Sequence, residues 1–155
     1  MSSETVNLIE QRVIEACAVV PVVKAFGEKI GIKAAIEVVQ QVHENESKTY
    51  GEACAKEKGS NLMADLAEVI SAWAEGGALE EEILELTETS YVFNVVKCMY
   101  ANRYRELGVE TFGYCLSCCR DEPFVQGFNP DIKFERHRTI MEGAQYCDFK
   151  FTLEQ

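Results

Sequence analysis

The first half of the chain carries its apolar residues at helical intervals. Between Val6 and Phe26, the positions Leu8, Ile9, Val13, Ile14, Cys17, Val20 and Val23 recur three and four apart, the period of a helix with one buried stripe. Pro21 lies inside this stretch, where its missing N–H and its clash with the preceding turn predict a kink, and Gly27 marks the expected end. A second helix is predicted from about Gly31 to Lys58, with Ile32, Ala35, Ile36, Val39, Val42, His43, Tyr50 and Cys54 on its stripe and Gly59 stopping it. Ser60 or Asn61 can cap a third, which runs through Leu62, Leu66, Val69, Ile70 and Trp73 to Gly76-Gly77.

The period then falls to two. Leu79 to Thr87 and Ser90 to Lys97 flank a Glu88-Thr89 link, and Tyr91, Phe93 and Val95 alternate against Val92, Asn94 and Val96, which predicts a hairpin. Cys98 to Leu107 suits a short helix closed by Gly108, and another helix is expected from about Thr111 to Val125. Phe128-Asn129-Pro130-Asp131 has turn chemistry. A second hairpin is predicted from Ile132 to Met141, a turn at Glu142-Gly143-Ala144-Gln145, and Tyr146 to Leu153. This order predicts the α+β class in one domain spanning residues 1–155. A helical half (about 5–76) would pack over an antiparallel sheet of about four strands from two hairpins (about 79–153).

A chain of 155 residues is long enough to bury a core. Its net charge of −11 argues against a nucleic-acid partner, which calls for a basic patch. No window approaches the roughly 20 apolar residues of a membrane span. Met1-Ser2-Ser3-Glu4 lacks the basic flank and apolar run of a signal peptide. Seven cysteines, an odd number with Cys118 and Cys119 adjacent, read as reduced thiols of a cytoplasmic protein. The amphipathic first helix is compatible with a homodimer.

Five of those cysteines lie from Cys98 onward, among Arg, Asp and Asn. The stretches that hold them are FNVVKCMYANRYRELG, CLSCCRD, GFNPDIKF and RTIMEGAQYCDFKF. Together they resemble the L-2-amino-thiazoline-4-carboxylic acid hydrolase family over about residues 88–153. The matching positions include Cys98, Tyr100, Ala101, Cys118, Arg120, Asp121, Gly127, Asn129, Cys147, Asp148 and Phe149. In the helical half the likeness is one of pattern, including Glu75-Gly76-Gly77-Ala78-Leu79. The resemblance implies a hydrolase that opens the ring of a small cyclic isothiourea carboxylate to give a carbamoyl-cysteine. The closing Gly143, Cys147 and Phe149 also resemble the last hairpin of 4-vinyl-reductase-like domains, which implies a small-molecule-binding domain without turnover as the alternative.

Such a ring opening needs a nucleophile or activated water, an acid for the leaving atom, and a hold on the carboxylate. Cys98 and Cys118 are candidate nucleophiles; Cys98, at a strand-to-helix junction, would place a thiolate by free backbone N–H groups. Their other reading is packing, as small buried hydrophobes. Asp121 and His43 are candidates for proton transfer, and the commoner role of a histidine on such a stripe is a satisfied core residue. Arg120, Arg138, Asn129 and Tyr100 are candidates for substrate binding. If Ile132 to Met141 is one strand, Ile132, Phe134, Arg136, Arg138 and Ile140 share a face, and two arginines between apolar positions suggest a local bulge, a polar floor for an anion or a solvated surface, with Asp148 able to pair one arginine. No cofactor is expected. Zinc, were it bound, would draw on Cys98, Cys118, Cys147 and His137.

Overall fold

The computed structural model describes residues 6–154, so the reading of Met1 to Glu4 lies outside the described residues. Helix α1 (Leu8–Ile30) opens on a reciprocal cap, in which the Asn7 side chain accepts from the Glu10 N–H at 2.9 Å and the Glu10 carboxylate accepts from the Asn7 N–H. The helix continues through Pro21 and past Gly27, ending instead at Gly31 with φ of 92°. Gly27 serves a different purpose from the stop expected of it. A Cβ there would meet Ile32 Cδ1 at 2.8 Å, so the glycine lets α2 (Ile32–Lys58) fold back after a single linking residue.

Helix α3 (Met63–Ser71) starts at Leu62, whose N–H donates to Asp65 while the Ser60 hydroxyl donates to the same carboxylate oxygen. A tight turn over 72–77 then leads into the sheet. Strands β1 (Leu79–Leu86), β2 (Ser90–Cys98), β3 (Ile132–Glu135) and β4 (Cys147–Leu153) form one antiparallel sheet in the order β1-β2-β4-β3. The fold is α+β, with helices on one face of this sheet. That face is aromatic: Tyr91, Phe93, Phe149 and Phe151 are buried, and the paired Phe93 and Phe149 rings stack 4.8 Å apart.

Two expectations fail in the second half. The predicted strand from Ile132 to Met141 stops at Glu135, and residues 136–139 leave the sheet before a short turn at Ile140–Glu142. Period two therefore does not extend to Arg136 and Arg138, whose environments differ: the Arg136 side chain is 5% exposed and that of Arg138 51%. The helix predicted over Thr111 to Val125 is also broken. Short α5 (Gly113–Leu116) is separated by a turn at Cys118–Arg120 from α6 (Asp121–Phe128), following α4 (Met99–Glu106). Ser117, with φ of −129° and ψ of −67°, is where the helix comes apart.

Helix α6 is held against α2 with almost no side chain between them. A Cβ on Gly51 would overlap the Phe124 carbonyl oxygen and lie 2.9 Å from the Phe128 nitrogen. One on Gly127 would overlap the Lys48 carbonyl oxygen and lie 2.9 Å from its carbon. Both obstacles are backbone, which cannot swing aside as a side chain can. Gly127→Ala and Gly51→Ala should each destabilise the protein by about 1–3 kcal/mol or more, read from urea unfolding midpoints. An unchanged midpoint in both variants would show that the helices are not in backbone contact.

Candidate functional site

The break at Ser117 frees backbone carbonyls in the protein interior, and such acceptors need donors. His43 Nδ1 meets the Cys115 carbonyl at 2.8 Å, and Ser47 Oγ donates to the Arg120 carbonyl at 2.7 Å. Arg120 Nε donates to the Leu116 carbonyl at 2.9 Å, and Arg136 donates to the Cys118 carbonyl at 3.0 Å. His43, Ser47 and Gly51 are the buried positions four apart on α2. The stripe read from the sequence went instead through Tyr50, which is 62% exposed. Because a carbonyl only accepts, His43 carries its proton on Nδ1.

Beside this break, between α1, α2, α6 and the aromatic face of the sheet, lies a cavity of about 820 Å³. It is lined by Cys98, Tyr100, Cys118, Arg120, Asp121 and Cys147, all positions that carry the sequence resemblance. A smaller cavity of about 430 Å³ lies behind it, bordered by Glu44, Tyr114, Glu122 and His137, and Cys118 and Arg136 line both.

Asp121, the first residue of α6, forms an ion pair with Arg136 NH1. Burial pushes the Asp121 carboxyl above the ordinary range, and the Arg136 guanidinium pulls it partly back. For Arg136, burial works the other way, but Asp121 outweighs it and holds the guanidinium charged. The same guanidinium lies 5.1 Å from the centre of the Phe149 ring. Among the described residues, Asp121 makes no hydrogen bond beyond that to Arg136, so its second oxygen is free for a water or a ligand.

At the cavity's other charged corner, Glu15 Oε2 is shared between Arg12 at 2.6 Å and Arg120 at 3.4 Å. Exposed Glu46 approaches Arg120 at only 4.0 Å. Burial would raise the Glu15 carboxyl, but Arg12 and Arg120 together hold it low. Burial and then the nearby Arg12 charge lower the pKa of Arg120. Arg12 and Arg136 are the cavity residues that sequence reasoning passed over. The signal for Arg12 was present, since it falls on the buried stripe of α1, four after Leu8 and three after Ile9, where an unpaired charge is costly. In the sequence Arg136 stands as one of two strand arginines that mark a bulge or a polar floor, with nothing to set it apart from Arg138.

The thiols differ from the thiolate expected at Cys98. Burial raises Cys98 in spite of the Ala101 and Tyr100 N–H groups, raises Cys118 well above the ordinary thiol value with Asp121 adding to it, and puts Cys147 at about 11. Cys147 Sγ accepts from the Ile140 N–H at 3.2 Å, and Cys98 Sγ from that of Ala101 at 3.4 Å. Among the described residues, no three His, Cys, Asp or Glu side chains are arranged to hold a metal ion.

Four candidates are placed away from the main cavity. His43 is buried on the far side of the broken helix, where burial lowers its pKa although the Cys115 carbonyl opposes this. Asn129 is consumed by its turn, donating to the Asn61 carbonyl at 2.9 Å and accepting from the Asp131 N–H at 2.9 Å. Arg138 lies on the surface over the Tyr146 ring, 4.0 Å from Asp148. His137 is 74% exposed and also contacts Asp148, which accepts the backbone N–H groups of 137 and 138. Tyr100 faces the cavity, its hydroxyl donating to the Trp73 carbonyl at 3.0 Å.

Removing one member of the Asp121–Arg136 pair leaves the other as a buried charge. Arg136→Met should cost about 3–5 kcal/mol, and adding Asp121→Asn should restore part of it, both read by urea unfolding near pH 7. Equal stability of Arg136→Met and the parent would mean that the pair is solvated. His43 makes stability depend on pH in the opposite sense from a gained ion pair. Its folded pKa lies below the ordinary 6.5, so the unfolded chain takes up the proton first as pH falls. The stability it contributes is present above 6.5 and is lost as pH falls toward the folded value. Between pH 7.5 and 5, His43→Gln should lose less of its melting temperature than the parent, and equal losses would contradict this.

The sequence profile of the L-2-amino-thiazoline-4-carboxylic acid hydrolase family matches residues 9–151, nearly the full length. No curated protein matches the chain. No helix among the described residues is long and apolar enough to cross a membrane. With the match extending over the helical half as well as the cysteine-bearing half, the chain belongs to the L-2-amino-thiazoline-4-carboxylic acid hydrolase family.

Proposed function

We propose that the cavity hydrolyses a small cyclic isothiourea or amidine that bears a carboxylate, with Asp121 as the proton-transferring group. The observation that supports this most is the convergence of Asp121, Arg136, Arg120, Cys98 and Cys118 on one cavity from three separate stretches of sequence. The substrate carboxylate sits against Arg120 and Arg12, which share a single carboxylate oxygen on Glu15 and so retain positive charge. The ring carbon between sulfur and nitrogen then faces Asp121.

Asp121, held in place by Arg136, takes a proton from a water as the water oxygen bonds to that carbon. The tetrahedral adduct collapses with cleavage of the carbon–sulfur bond: the proton held by Asp121 passes to the departing sulfur, and the adduct's remaining hydroxyl proton passes to the former ring nitrogen. The products are a carbonyl on the former ring carbon and a free thiol. A carboxyl raised by burial suits both halves of this transfer, since it is a better base than an exposed aspartate. Cys98 and Cys118, kept protonated, serve as weak S–H donors and as the low-polarity wall rather than as standing thiolates.

The neutral thiols equally suit a domain that binds without turnover, so the test has to separate the two. Incubation with 2-amino-thiazoline-4-carboxylate should give carbamoyl-cysteine, followed by mass spectrometry. Asp121→Asn should lower kcat by about 10²–10⁴-fold, whereas Cys98→Ala and Cys118→Ala should each lower it by less than about tenfold. The acid limb of the pH profile should lie above the ordinary aspartate value of 3.8. Binding without product would sink hydrolysis of this substrate; loss of all turnover in Cys118→Ala would return the attack to the thiol.

A further inference from the structure

The cavity is far larger than a lone thiazoline ring requires. At about 820 Å³ it lies toward the upper end of the roughly 300–1,000 Å³ usual for ligands of drug size. An amino-thiazoline carboxylate is a single five-membered ring with two small polar substituents. It would fill the space between the arginines and Asp121 and leave the rest to water.

That remaining space is walled mainly by apolar side chains, with Gln11, Glu46, Ser47 and Glu75 among them. Trp73 and Phe124 meet edge to face with ring centres 5.4 Å apart, and Tyr50 continues the wall 5.8 Å from Phe124. Leu8, Val69 and Leu79 complete it. Burying water against such a wall gains nothing, whereas burying a flat apolar group removes its surface and theirs from water together. Tyr50 is held open to solvent at 62% exposure, as a wall residue awaiting cover would be.

The charge distribution points the same way. Asp121 offsets Arg136, whereas Arg12 and Arg120 share Glu15 at 2.6 and 3.4 Å, with exposed Glu46 no nearer to Arg120 than 4.0 Å. Three of the chain's six arginines line this one cavity, together with the carboxylates of Glu15, Glu46, Glu75 and Asp121. A ligand carboxylate would take the place that exposed Glu46 holds only loosely at Arg120.

We infer that the ligand of this cavity is an amphipathic carboxylate: a ring acid carrying an aryl or long alkyl substituent, with the acid on Arg12 and Arg120 and the apolar body against Trp73, Phe124 and Tyr50. Its reaction rests on the hydrolytic reading above; its binding does not. For a substrate in which an anilino group replaces the amino group, water adds to the same ring carbon, the carbon–sulfur bond breaks, and the product is phenylcarbamoyl-cysteine with its thiol protonated.

Trp73 is the chain's only tryptophan, so its fluorescence reports occupancy of the wall directly. Titration with 2-anilino-thiazoline-4-carboxylate should change that emission and give a Kd at least tenfold below that of 2-amino-thiazoline-4-carboxylate. The methyl ester of the anilino compound should bind the unaltered protein at least tenfold more weakly, and Arg12→Gln should weaken both acids. Equal affinity for the two acids, an ester as tight as its acid, or no binding of the anilino acid would each overturn the inference. Tight binding of the anilino acid without release of phenylcarbamoyl-cysteine would leave the ligand class standing and count against hydrolysis alone.

Discussion

The site depends on one steric fact: α2 and α6 touch backbone to backbone at Gly51 and Gly127. No other residue type fits at either point without moving a main-chain carbonyl. The contact brings Asp121, at the head of α6, down into the space between the long helices and the sheet. It also seats Phe124, one turn further along the same short helix, in the aromatic wall. Acid and wall are therefore positioned by the same crossing, and neither can shift without the other.

That crossing requires α6 to be short and separate from α5, and the break between them imposes its own demands. Interior carbonyls must find donors, and side chains from α2, from the break itself and from the segment after β3 supply them. Arg120 and Arg136 thus each have two tasks. Each ties a loose carbonyl with one nitrogen and keeps others for the cavity. Structural and chemical roles are joined in the same guanidinium groups.

Much of this architecture was legible in the sequence, because helix and strand periods are strong where one face is buried. The long helices, the β1–β2 hairpin and the α+β class follow from Leu8 to Val23 and from Tyr91 to Val95 without other information. Failures occurred where a local pattern was overridden from a distance. Residues 136–139 alternate like a strand, but the interior offers Arg136 an acid, a carbonyl and an aromatic ring, and the chain leaves the sheet to reach them. The residues of CLSCCRD look helical one by one, and nothing in their own order announces the break at Ser117. Cys98, Cys118, Arg120 and Asp121 could be read as candidates from their types and spacing. Their protonation states could not, since these come from burial by other elements.

Arg136 and Cys118 also face both cavities. Shared by both, they form a bulkhead, with the apolar chamber on one side and a polar vestibule bordered by Glu44, Glu122 and His137 on the other. A truncation there does more than unpair a carboxylate. It would remove part of the partition between the two, and water reaching Asp121 from the vestibule would raise the local dielectric on which its displaced proton affinity depends. The guanidinium is then a partition as well as a partner, and the reactivity of the acid is tied to how much water that partition admits.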